Sequence, residues 1–187
     1  TEAPSASPRR KALLSLLGIP FTVRAADIDE TMDPEKPPFD EVARVSRLKA
    51  LAVSRGEEDI VIAADTIVVC QGKVLGKPHS EDEAASMLRL LSGRDHQVMT
   101  GCTILYGDRV ETFTEVTSLH FRPLSEKEIQ KYVQSGEPMD KAGAYGIQVS
   151  EGSTRELDER CLKFLHTYAK RIEVLDAKEL GLSVIDP

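Results

Sequence analysis

Ile60-Val61-Ile62-Ala63-Ala64-Asp65-Thr66-Ile67-Val68-Val69-Cys70 is the stretch on which the fold turns. It is β-branched and almost wholly apolar, the signature of a buried strand, and Gln71-Gly72-Lys73 turns it back into Val74-Leu75. One carboxylate, Asp65, interrupts the run, with small residues directly before it. A carboxylate taken out of water without a partner costs several kcal/mol even after relaxation. A lysine, a metal ion or a dipole is therefore expected beside it, unless the strand end bends into solvent or the partner is a structural salt bridge.

Upstream, Arg9 to Leu17 reads as a helix with Pro8 in its first turn and Gly18 at its stop. Phe21 to Ala25 is expected as a strand, and Asp27 to Pro38, acidic and with three prolines, as a surface loop. Asp40 is placed to cap a helix from about Glu41 to Arg55. Downstream, Ser80 and Glu83 make a capping box ahead of Ala84 to Leu91, and Leu91-Ser92-Gly93 ends that helix. His96 to Tyr106 and Arg109 to Phe121, joined at Gly107-Asp108, read as a hairpin. Ser125 with Glu128 repeats the box before a helix to about Gln134. Gly136 to Ser150 is rich in Gly and Ala, which suits close backbone approach to a ligand and equally a plain loop. A third box, Ser153 with Glu156, precedes an amphipathic helical pattern through Leu157, Cys161, Phe164, Leu165, Tyr168, Ile172 and Leu175.

The chain has 187 residues, room for one domain or two small lobes sharing a core. With 31 acidic against 24 basic residues its formal charge is -7, which argues against a general nucleic-acid coat or a protein held on anionic lipid. A small anion is still admissible, since it feels a local cluster of charge and not the surface sum. Cys70, Cys102 and Cys161 are widely spaced, with no metal-ligand spacing, and the odd number fits a reducing compartment. No secretory or membrane-spanning apolar run is present, so a cytoplasmic protein is expected.

Several residues carry possible chemistry. Ser7-Pro8-Arg9-Arg10 sets a hydroxyl and two guanidinium groups at a helix start, where unpaired N–H groups already favour an anion; two terminal arginines are also often merely solvated. At 100° per residue Lys49 shares a side of its helix with Val42, Val45, Ala52 and Val53, whereas Arg44, Arg47 and Arg55 fall opposite. A lysine in an apolar stripe either snorkels outward or meets an anion. Gly76-Lys77-Pro78 holds a lysine between a flexible and a rigid residue, without the pattern of a Walker A loop. Asp27-Ile28-Asp29-Glu30-Thr31 matches the D-x-D-x-T of haloacid-dehalogenase-like phosphatases, with Asp27 as nucleophile, though no later paired-aspartate motif follows. His79, His96, His120 and His166 have no zinc-hydrolase spacing, and no G-x-S-x-G elbow occurs.

Together, Ser5-Ala6-Ser7-Pro8-Arg9-Arg10, Ile28-Asp29-Glu30, Lys49-Ala50, Ala64-Asp65-Thr66, Gly76-Lys77-Pro78, Leu91-Ser92-Gly93-Arg94 and the run from Asp140 to Gln148 resemble, in order and spacing, the Maf family of nucleotide pyrophosphatases. The resemblance implies an α/β fold, a mixed twisted sheet with flanking helices in two lobes around a cleft, related to the inosine-triphosphate pyrophosphatases and usually a homodimer. It implies hydrolysis of a nucleoside triphosphate to the monophosphate and pyrophosphate, and the form of these motifs resembles the branch acting on dTTP and UTP, sometimes CTP. By the family pattern Asp65 is the general base; Arg9, Thr66 and Gln148 set base preference; Ser7, Arg10, Lys49 and Lys77 grip the triphosphate; Glu30 and Asp65 lie near a divalent metal, magnesium or manganese. One Maf-like domain is expected over 1–187, with 5–148 following the pattern and 149–187 diverging from it. A catalytically weak nucleotide-binding module of the same fold, and the phosphatase built on Asp27, are the alternatives.

Overall fold

The computed structural model describes residues 8–16, 18, 20–53 and 59–146. These fall into two units, one of Arg9–Pro20 and one of Phe21–Gly146 together with Pro8. The first holds most of helix α1 (Pro8–Ser15), which Gly18 stops in a left-handed conformation at φ 66°.

The second unit is a four-stranded antiparallel sheet with three helices. The strands are β1 (Ile60–Cys70), β2 (Lys73–Leu75), β3 (Asp95–Tyr106) and β4 (Arg109–His120), in the order β2-β1-β3-β4. Every described pair is antiparallel, where a mixed sheet was the expectation. The central strand and the hairpin lie where the sequence puts them, because apolar runs closed by two-residue Gly turns leave the register little freedom. Gln71 and Gly72 close β1 on β2, and Gly107 with Asp108 closes β3 on β4. Burial along β1 is confined to its second half: Ile67, Val68 and Cys70 are buried, whereas Ile60 and Ile62 are exposed.

Alternate strand residues face opposite sides. Helix α2 (Pro38–Ala52) covers the side carrying Asp65, Ile67, Met99, Gly101 and Thr103. Val42 packs with Ile67 and Met99, and the Ser46 and Thr103 hydroxyls meet at 2.8 Å. Gly101 lets the helix sit close, since a Cβ there would come within 2.2 Å of the Val42 carbonyl oxygen. Helices α3 (Glu81–Leu91) and α4 (Glu126–Gln134) pack together, and α3 also contacts a short 3₁₀ turn, Ala142–Ala144. A second 3₁₀ turn spans Glu137–Asp140. On the side of the sheet away from α2, Gly143 lies against Val68, where a Cβ would come within 2.8 Å of the Val68 side chain.

Several local expectations are corrected. Phe21 to Ala25 forms no strand; Thr22 to Ala25 are exposed, so there is no apolar face to pay the cost of ordering. Helix α2 starts earlier than expected, because Pro38 is preorganised for the first helical position; Pro37 takes the cap position and Asp40 makes no side-chain cap bond. Ala52 is exposed and Ser46 takes its place on the buried stripe. The Ser125–Glu128 box closes both ways, whereas in the Ser80 box Glu83 accepts the N–H of His79. The helical pattern from Leu157 to Leu175 lies outside the described residues.

His96, on β3, anchors the segment beyond α4. Its Nδ1 lies 3.4 Å from the Arg94 carbonyl, which can only accept, so Nδ1 carries the proton and Nε2 accepts from the Tyr145 hydroxyl at 2.7 Å. Phe121 packs edge-on against both rings. Burial pushes the His96 pKa below 6.5 and raises that of Tyr145, so both groups are neutral.

Gly101→Ala should cost about 3 kcal/mol or more in chemical denaturation, the upper end for overpacking. Gly76→Ala, with nothing within 4 Å of the added Cβ, should stay within about 0.5 kcal/mol. Because the folded-state pKa of His96 is depressed, the unfolded chain takes up the proton first. The neutral pair's contribution is therefore full above pH 6.5 and is lost as the pH falls below it. Stability measured against pH should fall less steeply below pH 6.5 in His96→Gln than in the parent; equal slopes would refute the assignment.

Candidate functional site

Lys49 lies in the last turn of α2, two helical turns beyond Val42 and on the same buried stripe. Val42 sits over Gly101, and Gly101 is the cross-strand partner of Asp65. The close seating of the helix thus brings the lysine stem toward β1. Its ammonium donates to Asp65 Oδ1 at 2.7 Å and pairs with Glu30 Oε2 at 2.9 Å. The side chains of Lys49 and Asp65 are only 17% and 14% exposed, and that of Glu30 is 55% exposed. Of the two fates open to a lysine in an apolar stripe, this one meets anions, and the expected partner of Asp65 is that lysine.

Glu30 comes from the loop before α2. The Asp29 carboxylate accepts the Thr31 N–H at 2.9 Å in a local turn, and hydrogen bonds from the Thr31 hydroxyl and then its amide lower the Asp29 pKa. This turn also uses the second aspartate of the D-x-D-x-T pattern. Asp27 is exposed on a segment without strand structure, so the strand-end nucleophile of the phosphatase reading has no scaffold.

Thr66 faces away from Asp65. Its hydroxyl lies 3.0 Å from that of Thr100, its cross-strand partner, on the side of the sheet opposite α2. A ligand meeting both residues would have to reach around the edge of β1, where β2 pairs only with Val68 to Cys70. Lys77 is exposed in the turn after β2, and the Gly76 carbonyl beside it accepts the Gly143 N–H at 2.9 Å. That bond ties the Gly76-Lys77-Pro78 turn to the Asp140–Gln148 motif. Arg10 is exposed on α1, in the other unit. Ser7, Gln148 and the side chain of Arg9 lie outside the described residues.

The arrangement contains residues that the sequence reading passed over. Arg44 lies on the side of α2 away from the buried stripe, yet it is half-buried and bonded to Glu41, itself only 2% exposed. The Glu41–Arg44 spacing of three is a helical ion-pair signal that was available. Thr100 and the His96–Tyr145 pair carry no comparable sequence signal.

Two carboxylates and one ammonium leave a net charge of -1 at Lys49, before any ligand arrives. Among the described residues no group of three or more His, Cys, Asp and Glu side chains could hold a metal ion. Glu30 and Asp65 nevertheless fit a magnesium-type ion, which takes one or two protein carboxylates and completes its shell with water and substrate phosphate. Among the described residues no helix is long and apolar enough to cross a membrane.

Comparison with known proteins gives the same motifs a context. A dTTP/UTP pyrophosphatase of Halalkalibacterium halodurans is 53% identical over 145 residues, covering 77% of this chain and 76% of the relative. Proteins of the same name from Bacillus velezensis, 51% identical over 77% of each chain, and Syntrophomonas wolfei, 52% identical over 77% of this chain and 78% of the relative, are similar in the same way. The family model described as Maf-like protein matches residues 4–158, ten residues beyond the stretch that the motifs delimit. With the motif residues Glu30, Lys49 and Asp65 joined in one ion cluster and most of its length matched, this chain belongs to the Maf-like protein family.

Proposed function

We propose that this chain hydrolyses dTTP and UTP, with CTP as a further substrate, to the nucleoside monophosphate and pyrophosphate. The observation that carries the reading is the Glu30–Lys49–Asp65 cluster in a chain about half identical to proteins named dTTP/UTP pyrophosphatase. The finer fold inferred from the family is a single domain over 1–187 with two lobes, related to the inosine-triphosphate pyrophosphatases. A homodimer in the cytoplasm is the accompanying expectation.

The chemistry follows from the charges. Water attacks the α-phosphorus, the α–β anhydride P–O bond breaks, and its electron pair leaves with pyrophosphate. Asp65 accepts the proton from water. Lys49 and Lys77, with Ser7 and Arg10 assigned by their motif, hold phosphate oxygens; each charge-assisted contact is worth about 1.5–3 kcal/mol. Glu30 and Asp65 would hold a divalent cation, magnesium or manganese, which supplies charge neutralisation and lowers the pKa of bound water. The net negative charge at Lys49 disfavours a bare triphosphate and favours one carrying its metal. Arg9, Thr66 and Gln148 would choose the base, Gln148 offering both a donor and an acceptor to a pyrimidine edge. Continuing the β1–β2 register by two residues would bring Lys77 level with Thr66, in keeping with one ligand along that edge.

Chromatography of dTTP and UTP incubated with the protein and magnesium should show monophosphate and pyrophosphate. Diphosphate with inorganic phosphate would indicate a phosphatase, and bound nucleotide without product a binding module. Asp65→Asn should lower turnover by about 100- to 10,000-fold, the range for a lost general base, with nucleotide affinity largely kept. Asp27→Asn should turn over at the parent rate. An active Asp65→Asn protein, or an inert Asp27→Asn one, would overturn the assignment.

A further inference from the structure

The loop that delivers Glu30 is held by a device separate from the cluster at Lys49. Glu41, in the first turn of α2, is 2% exposed, and its carboxylate takes both prongs of Arg44: Nε donates to Oε1 at 2.9 Å and Nη2 to Oε2 at 2.7 Å. The same Oε2 accepts the Asp33 N–H at 2.8 Å, and the same Nη2 donates to the Thr31 carbonyl at 2.8 Å. Between these two backbone anchors the Met32 side chain packs against Val42, Ile67 and Met99. Three consecutive residues are thereby fixed by a carbonyl bond, an apolar contact and an amide bond, and Glu30 directly precedes them. The carboxylate of this bidentate pair is buried and the guanidinium half-buried, and the planar fork fixes geometry as well as adding charge-assisted bonds. Its bonds go to backbone atoms, so they set where the loop runs whatever its side chains are.

We propose that Arg44 and Glu41 are positioning residues that hold the Glu30 carboxylate against Lys49 and Asp65 for the reaction. The proposal rests on the pyrophosphatase reading for its kinetic consequence, but not for its structural one. Outer partners of functional carboxylates typically matter about 10- to 100-fold in activity or metal affinity. The guanidinium fork is the essential part, since a lysine cannot hold two carboxylate oxygens and the Thr31 carbonyl together.

The test is a double-mutant cycle on the full-length protein, with Arg44→Met, Glu30→Gln and their combination. Arg44→Met should lower kcat about 10- to 100-fold and raise the magnesium concentration for half-activation, with nucleotide KM little changed. In the Glu30→Gln background the same substitution should cost almost nothing, because the residue it positions is already disabled. Arg44→Lys should recover only part of the loss. Ile104→Val, a change in the buried core away from this loop, should lower stability and leave kcat unchanged. Losses that multiply in the double variant, or a parental kcat in Arg44→Met, would overturn the proposal. If Arg44→Met does not fold, Arg44→Lys in the same cycle decides it by the same criterion. Amide hydrogen exchange separates the two readings: should the parent release no pyrophosphate, the function falls alone. The Asp33 amide must then still exchange faster in the Arg44 variants, and unchanged protection there would sink the positioning role.

Discussion

An ammonium shared between two carboxylates ties the described core to its candidate chemistry. Lys49 reaches from helix α2 to Asp65 on the central strand and to Glu30 on the preceding loop, so one cation joins three elements. Both Asp65 and Lys49 are largely removed from water; removing Lys49 would take away the ammonium that compensates Asp65, a far costlier state than the intact pair, whereas removing Asp65 would leave Lys49 on Glu30. The same cluster carries a net negative charge. A charge of that sign would favour the metal-bearing nucleotide of the proposed function over a bare triphosphate.

That cluster depends on how closely α2 approaches the sheet. Gly101 is the residue that permits it, and its place opposite Asp65 is what makes packing and function inseparable here. Around the contact, Val42, Ile67 and Met99 supply the apolar floor, while the Ser46–Thr103 and Thr103–Thr112 hydroxyl contacts satisfy polar groups that would otherwise be buried alone. On the other side of the sheet, the packing of Gly143 on Val68 and the His96–Tyr145 bond hold the chain leading toward Gln148. Thr66, proposed for base preference, and Asp65, proposed for proton transfer, thus face separately packed sides of the sheet.

What was legible in the sequence was whatever local periodicity and turn chemistry decide. The run from Ile60 to Cys70, the Gly107-Asp108 hairpin and the Ser125 box belong to this class. Phe21 to Ala25 shows the converse, since β propensity without a partner strand or a buried face makes no strand. The stripe on α2 placed Lys49 on the buried side, but a helical wheel cannot name the element that lies opposite. At Arg44 the limit is the same: the side of α2 away from the stripe faces the Thr31–Asp33 loop there, not solvent alone. Asp65 and Thr66 stand side by side in one motif, although the period of two along a strand sends them to opposite faces. The family became visible only from seven short motifs in register, none of them specific alone.

The formal charge of -7 seemed to turn the chain away from polyanions, yet the proposal places a triphosphate at lysines and arginines drawn from separate segments. Surface charge and site charge answer different questions: the first discourages a long nucleic acid, and the second admits a small nucleotide with its metal. The central claim is that water, relieved of its proton by Asp65, attacks the α-phosphorus. Hydrolysis of dTTP in ¹⁸O-enriched water, followed by mass spectrometry of both products, tests it most directly. The account predicts the label in the nucleoside monophosphate; label in pyrophosphate or in inorganic phosphate would contradict it.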